Sequence, residues 1–116
     1  MEYLLLIYSN ENDEPKEGSP EGLEHLKGYG EFTQGVAQNG MMKGANALDS
    51  ASTATTVRVR SGNVETTDGP FAETKEQLGG YYLLECKNLD EAIEQAAKIP
   101  SAKIGSIEIR PIKHFE

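Results

Sequence analysis

Residues 3–8, YLLLIY, are apolar at every position. That is the pattern of a strand covered on both faces, not of one that turns a face to water. The polar, acidic stretch 9–19 carries Pro15 and Gly18 and reads as a loop. Ser19-Pro20-Glu21 then opens a helix: the Ser19 hydroxyl can cap it, and Pro20 suits the first turn. Leu26, Tyr29, Phe32 (or Thr33) and Val36 fall on one face, and the helix runs to about Asn39, where Gly40 suits a stop. Gly22, Gly28, Gly30 and Gly35 lie inside it. Each costs about 0.5–1 kcal/mol relative to Ala, a cost that close packing against a sheet would offset.

Residues 41–48 predict a short strand, irregular at Gly44, and 51–55 a weakly structured connection. Thr56-Val57-Arg58-Val59-Arg60 alternates, Ser61-Gly62-Asn63 turns, and Val64-Glu65-Thr66 returns, which together predict a β-hairpin. A second strand with both faces largely apolar follows at 79–86. Asn88 and Glu91 have capping-box spacing, and Leu89, Ala92, Ile93, Ala96 and Ala97 form one helical stripe that Pro100 ends. Residues 104–109 alternate and give the last strand. The order β, α, β, hairpin, β, α, β describes an α+β fold: a ferredoxin-like β-α-β sheet with an inserted hairpin and both helices on one face. The other face needs a cover, because strands 3–8 and 79–86 are apolar on both sides and no helix is left over. A second copy of the chain is the simplest cover, so a homodimer with sheets packed face to face is expected.

The length of 116 residues fits one domain, residues 1–116. Eleven Lys and Arg against nineteen Asp and Glu give a net charge of −8, which opposes binding to nucleic acid or to an anionic membrane surface. The first apolar run is too short for a signal peptide or a membrane span, and a cytoplasmic location is expected. Cys86, the lone cysteine, sits in an apolar run and reads as a buried strand thiol. Two histidines and one cysteine, far apart, offer no metal-ligand spacing, and no phosphate-cradling loop appears, so no cofactor is expected.

Three stretches are similar to the YCII-related proteins, in the subgroup with a DGPF motif: YLLLIY, ATTVRVRSGNVETTDGPFAETKEQLGGYYLLE, and LDEAIEQAAKIPSAKIGSIEIRPI. The resemblance covers nearly the whole chain and implies a dimeric α+β barrel. In one branch of the family a His–Asp pair facing a cleft is the proposed active site. By this resemblance the aspartate falls on Asp68, and the first-helix histidine position is taken by Tyr29, with His25 one turn earlier on the same face.

Two readings follow. In the first, the protein is a small-molecule binder or a small cofactor-free enzyme acting on a polar or aromatic ring compound. Asp68 is then held by the turn at a dimer-associated cleft, as base or orienter, with His25 as its partner. Tyr29 and Phe71 line the cleft. Lys75 on the rim and Arg58 on the hairpin could meet an anionic ligand. In the second, the chain is a non-catalytic regulatory or protein-interaction module. It presents its acidic 9–19 loop and residues 68–80 to a protein partner, and the DGPF turn is structural: Asp68 satisfies backbone amides, and Pro70 fixes its own φ and pushes Gly69 extended. Gly79-Gly80 is either a hinge or a bulge at the strand entry.

Overall fold

The structure is a computed structural model describing residues 1–115. A four-stranded antiparallel sheet forms its centre: β1 (Glu2–Ser9), β2 (Met42–Ala47), β5 (Gln77–Glu85) and β6 (Ser106–Pro111), in the spatial order β2-β5-β1-β6. A separate two-stranded sheet joins β3 (Thr55–Arg60) to β4 (Asn63–Asp68). Two helices, α1 (Pro20–Gln38) and α2 (Leu89–Ala96), complete the α+β fold expected from the sequence.

Side-chain alternation divides the sheet. Tyr3, Leu5 and Ile7 of β1, with Tyr82 and Leu84 of β5, are buried with Phe32 and Val36 of α1 and Ala92 and Ala96 of α2. The opposite face carries Leu4, Leu6 and Tyr8. These stand beside Leu83, Tyr81 and Leu78 of β5 and beside Arg110, Glu108 and Ser106 of β6. Leu4, Leu6, Tyr81 and Leu83 are only half-buried there, because both helices lie on the other side.

Both helix caps form as their sequences direct. Ser19 Oγ accepts from Gly22 N at 3.0 Å, and Asn88 Oδ1 accepts from Glu91 N at 3.0 Å. The reciprocal half of the second box is displaced by one residue, since Glu91 Oε1 accepts from Lys87 N at 3.0 Å. The expected apolar face of α1 needs correction at Leu26, which is 69% exposed. The helix contacts the sheet through its later turns, at Phe32 and Val36.

The glycines of α1 fall into two kinds. A side chain at Gly22 would overlap the Lys16 carbonyl, and one at Gly28 would come within 3.0 Å of Pro100. Gly30 and Gly35 have nothing within 4 Å, so packing offsets the helical cost at two positions and not at the other two. The Gly79-Gly80 pair makes a bulge: Ile7 pairs with Gly80 and Tyr8 with Leu78, which leaves Gly79 as the extra residue.

The hairpin turns through Ser61 (φ 52°) and Gly62 (φ 78°), both left-handed, as a tight two-residue turn between paired strands requires. It stands away from the main sheet. The radius of gyration is 16.1 Å, against about 13 Å for a compact domain of this length. Val57, Val59 and Val64 share one face of this arm and are all exposed, Val64 at 70%. Its base is tied down by Glu11, whose carboxylate accepts from Ser50 Oγ at 3.1 Å and from Ala51 N at 2.9 Å. Among the described residues, no helix is long and apolar enough to cross a membrane.

Candidate functional site

A cleft of about 500 Å³ opens between the middle of α1 and the β2–β5 side of the sheet. That volume suits a small organic ligand. Polar groups from four elements meet at it. The Tyr29 hydroxyl lies 2.6 Å from Ser101 Oγ, in the 3-10 turn Pro100–Lys103, and either can donate. One turn further along α1, Thr33 Oγ1 lies 2.7 Å from the Tyr82 hydroxyl of β5. His25 stands edge-on to Tyr29, with ring centroids 5.2 Å apart. Glu14 joins the lining from the acidic loop.

Close approach of backbones builds this arrangement. Gly28 lets α1 approach Pro100, which brings Tyr29 against the buried Ser101 one residue on. Gly79 and Gly80 contribute no side chains to the cleft wall. At Gly80 a Cβ would come within 2.8 Å of the Asn46 carbonyl, so β2 and β5 can adjoin there only without one. Edge-to-face contact of Phe32 with Tyr82, centroids 4.9 Å apart, fixes the ring whose hydroxyl meets Thr33.

Burial, first of all, holds the Tyr29 hydroxyl above its ordinary 10.0. The bond to Ser101 opposes the rise, and nearby Tyr82 and Glu14 add to it. Tyr29 is therefore a neutral phenol at physiological pH, able both to donate and to accept. A raised phenol binds its proton more tightly in the folded chain than in the unfolded one. Its stabilising contribution is complete below pH 10 and is lost as pH rises through the folded value. Urea unfolding from about pH 8 to 11 should show wild-type stability declining at the alkaline end, and Tyr29→Phe should decline less. Parallel declines in the two proteins would mean that Tyr29 is not the group responsible. Cys86, buried as expected, adds a loss of the same sign in both, because burial pushes its thiol above 9.0.

Of the residues singled out in the sequence, the structure brings His25 and Tyr29 together at this cleft and leaves the others elsewhere in the chain. Asp68 ends β4, paired with Thr55 and exposed. Its carboxylate has no hydrogen-bond partner among the described residues, so it neither meets His25 within the chain nor satisfies backbone amides. The turn is held by backbone and a hydroxyl: Gly69 N donates to Ala54 O at 2.6 Å, and Thr56 Oγ1 donates to Gly69 O at 2.9 Å. Gly69 is left-handed at φ 99°, not extended, which gives the glycine of DGPF a steric reason. Phe71 is 78% exposed and does not line the cleft. Arg58 points its guanidinium at the Phe71 carbonyl at 3.5 Å. Lys75 borders a different groove, with Asp13, Glu76 and Glu108, a carboxylate setting that disfavours an anion.

The sequence reading missed Ser101, Tyr82 and Glu14 as site residues. Ser101 follows the proline that stops a helix, and no spacing links it to Tyr29. Glu14 lies in a charged loop that looks solvated.

An α+β sheet protein with a hydroxyl-lined cleft beneath its first helix is the class that fold and site define. The YCII-related domain model matches residues 1–116, and the chain belongs to that family. It is 33% identical over 118 aligned positions to an uncharacterised protein of Rhizobium meliloti (strain 1021), an alignment covering 100% of this chain and 95% of that one.

Proposed function

We propose that this YCII-related protein binds a small ring compound in the cleft between α1 and the β2–β5 side of the sheet, and that it does so as a homodimer. The observation that carries the reading is the convergence of Tyr29, Ser101, Thr33 and Tyr82 hydroxyls with the His25 ring on one cavity of ligand size. Each hydroxyl in these pairs has hydrogen-bonding capacity beyond its partner bond, so a ligand oxygen or nitrogen can be held without breaking the pair. Such a site can also support cofactor-free proton transfer, with His25 as the base and Tyr29 orienting the substrate. The dimer is supported by the half-buried apolar face Leu4, Leu6, Tyr81 and Leu83, which two copies could cover mutually in a ferredoxin-like face-to-face barrel. The exposed valines of the β3–β4 arm favour the same assembly, since an isolated two-stranded hairpin is marginal in water. The arm also carries Asp68 and Phe71, so any part they play in a site is played toward the partner copy.

A thermal-shift screen of small phenols, amines and carboxylic acids tests the cleft. A ligand that raises the melting temperature of the wild type should raise that of Tyr29→Phe by less, and that of Asp68→Asn by as much if the cleft of one chain suffices. Equal shifts in wild type and Tyr29→Phe would place binding outside this cleft.

A further inference from the structure

The charge lining the cleft limits what can enter it. Among the described residues the lining carries one carboxylate, that of Glu14, one imidazole, that of His25, and no Lys or Arg. Glu14 is held in place. Its Oε1 accepts from Ser9 Oγ at 2.6 Å, and Ser9 is 3% exposed, at the end of central strand β1. Oε2 has no hydrogen-bond partner among the described residues. The carboxylate is thus tied through one oxygen to the buried end of β1 while the other takes no bond from the chain, and the exposed side chain borders both this cleft and the neighbouring groove. It also acts on Tyr29, helping to raise that phenol. Tyr29, Tyr81, Tyr82 and His25 are the rings that line the cleft, and an aromatic face also attracts a cation. The net charge of −8 raises the local concentration of cations and lowers that of anions.

From this we infer that the cleft takes a ring compound bearing a protonated amine, with Glu14 as the counter-charge that selects it. This rests on the cleft being a ligand site, and it replaces the anionic ligand that Arg58 and Lys75 suggested in the sequence. The ammonium donates to the free oxygen of Glu14, and the Tyr29–Ser101 and Thr33–Tyr82 hydroxyls are left for polar substituents on the ring.

Calorimetric titration with three matched probes tests it: 2-phenylethylamine, 2-phenylethanol and phenylacetate, against the wild type, Glu14→Gln and Ser9→Ala. The wild type should bind the amine about tenfold or more tighter than the alcohol, as expected for a hydrogen bond to a charged group, and the carboxylate least. Glu14→Gln keeps an acceptor for Ser9 and should bring the amine down to the level of the alcohol. Ser9→Ala keeps the charge but frees it, and should fall between the two. Added salt should weaken amine binding in the wild type and leave alcohol binding unchanged. Amine binding that survives Glu14→Gln, or a preference for phenylacetate, would overturn the role of Glu14 and leave the cleft standing. Failure of all three probes to bind the wild type would overturn the cleft as a ring-compound site and this inference with it.

Discussion

Alanine at Gly105 is expected to destabilise the protein by about 2–3 kcal/mol, far more than one added methyl group normally costs. The new Cβ would overlap the Tyr8 carbonyl oxygen and sit 2.9 Å from Ser9 Cα and Cβ. Those atoms belong to β1, which is hydrogen-bonded to β5 on one side and β6 on the other. Relief by a small shift is therefore closed off, because moving β1 strains two ladders at once. For a domain of this size the loss lowers the melting temperature by roughly 10 °C. Gly30→Ala is the natural control. Its Cβ meets nothing within 4 Å, and relief of the helical glycine cost should stabilise by up to about 1 kcal/mol. A Gly105→Ala variant that melts with the wild type would mean that the turn after Pro100–Lys103 does not approach β1 this closely. The substitution also bears on the cleft, because Ser9, against which the new Cβ presses, is the anchor of Glu14.

Lysine at Leu6 is expected to convert the proposed dimer to a monomer. Leu6 lies on a central strand, on the face away from the helices, between Tyr81 and Glu108. In a two-fold assembly that buries this face, each copy would place an ammonium in an apolar seam, and the two copies would do so together. Loss of a central apolar anchor together with burial of a charge should raise the dissociation constant at least about a hundredfold, which is about 2.7 kcal/mol. Sedimentation velocity at micromolar concentration reads the outcome directly. Wild type should run at twice the 12.7 kDa chain mass and Leu6→Lys at 12.7 kDa. A wild-type protein that is already monomeric would remove the dimer, and a Leu6→Lys dimer would move the interface to another surface, with the hairpin valines the next to test. Leu6 lies outside the buried core, so the monomer should stay folded and its cleft should keep any affinity that one chain supplies.

Most of the fold was legible in the chain because short-range chemistry specifies it. YLLLIY forms the strand its apolar run predicts, Ser19 and Asn88 cap the helices they precede, and Ser61-Gly62 supplies the left-handed residues of a tight hairpin turn. Helical spacing also put His25 and Tyr29 on one side of α1. Only the tertiary structure decided the site. Tyr29 meets Ser101 across 72 positions and Thr33 meets Tyr82 across 49, and no local signal encodes such pairs. Asp68, the carboxylate to which the family resemblance points, rides with its turn motif on an arm outside the cleft of the single chain. The carboxylate that reaches the cleft, Glu14, comes from a loop with no pattern at all. Its place is set by one hydrogen bond to the end of a buried strand. Sequence determines local conformation through sterics, capping and alternation, whereas a site is assembled from residues whose distance in the chain carries no information about their distance in space.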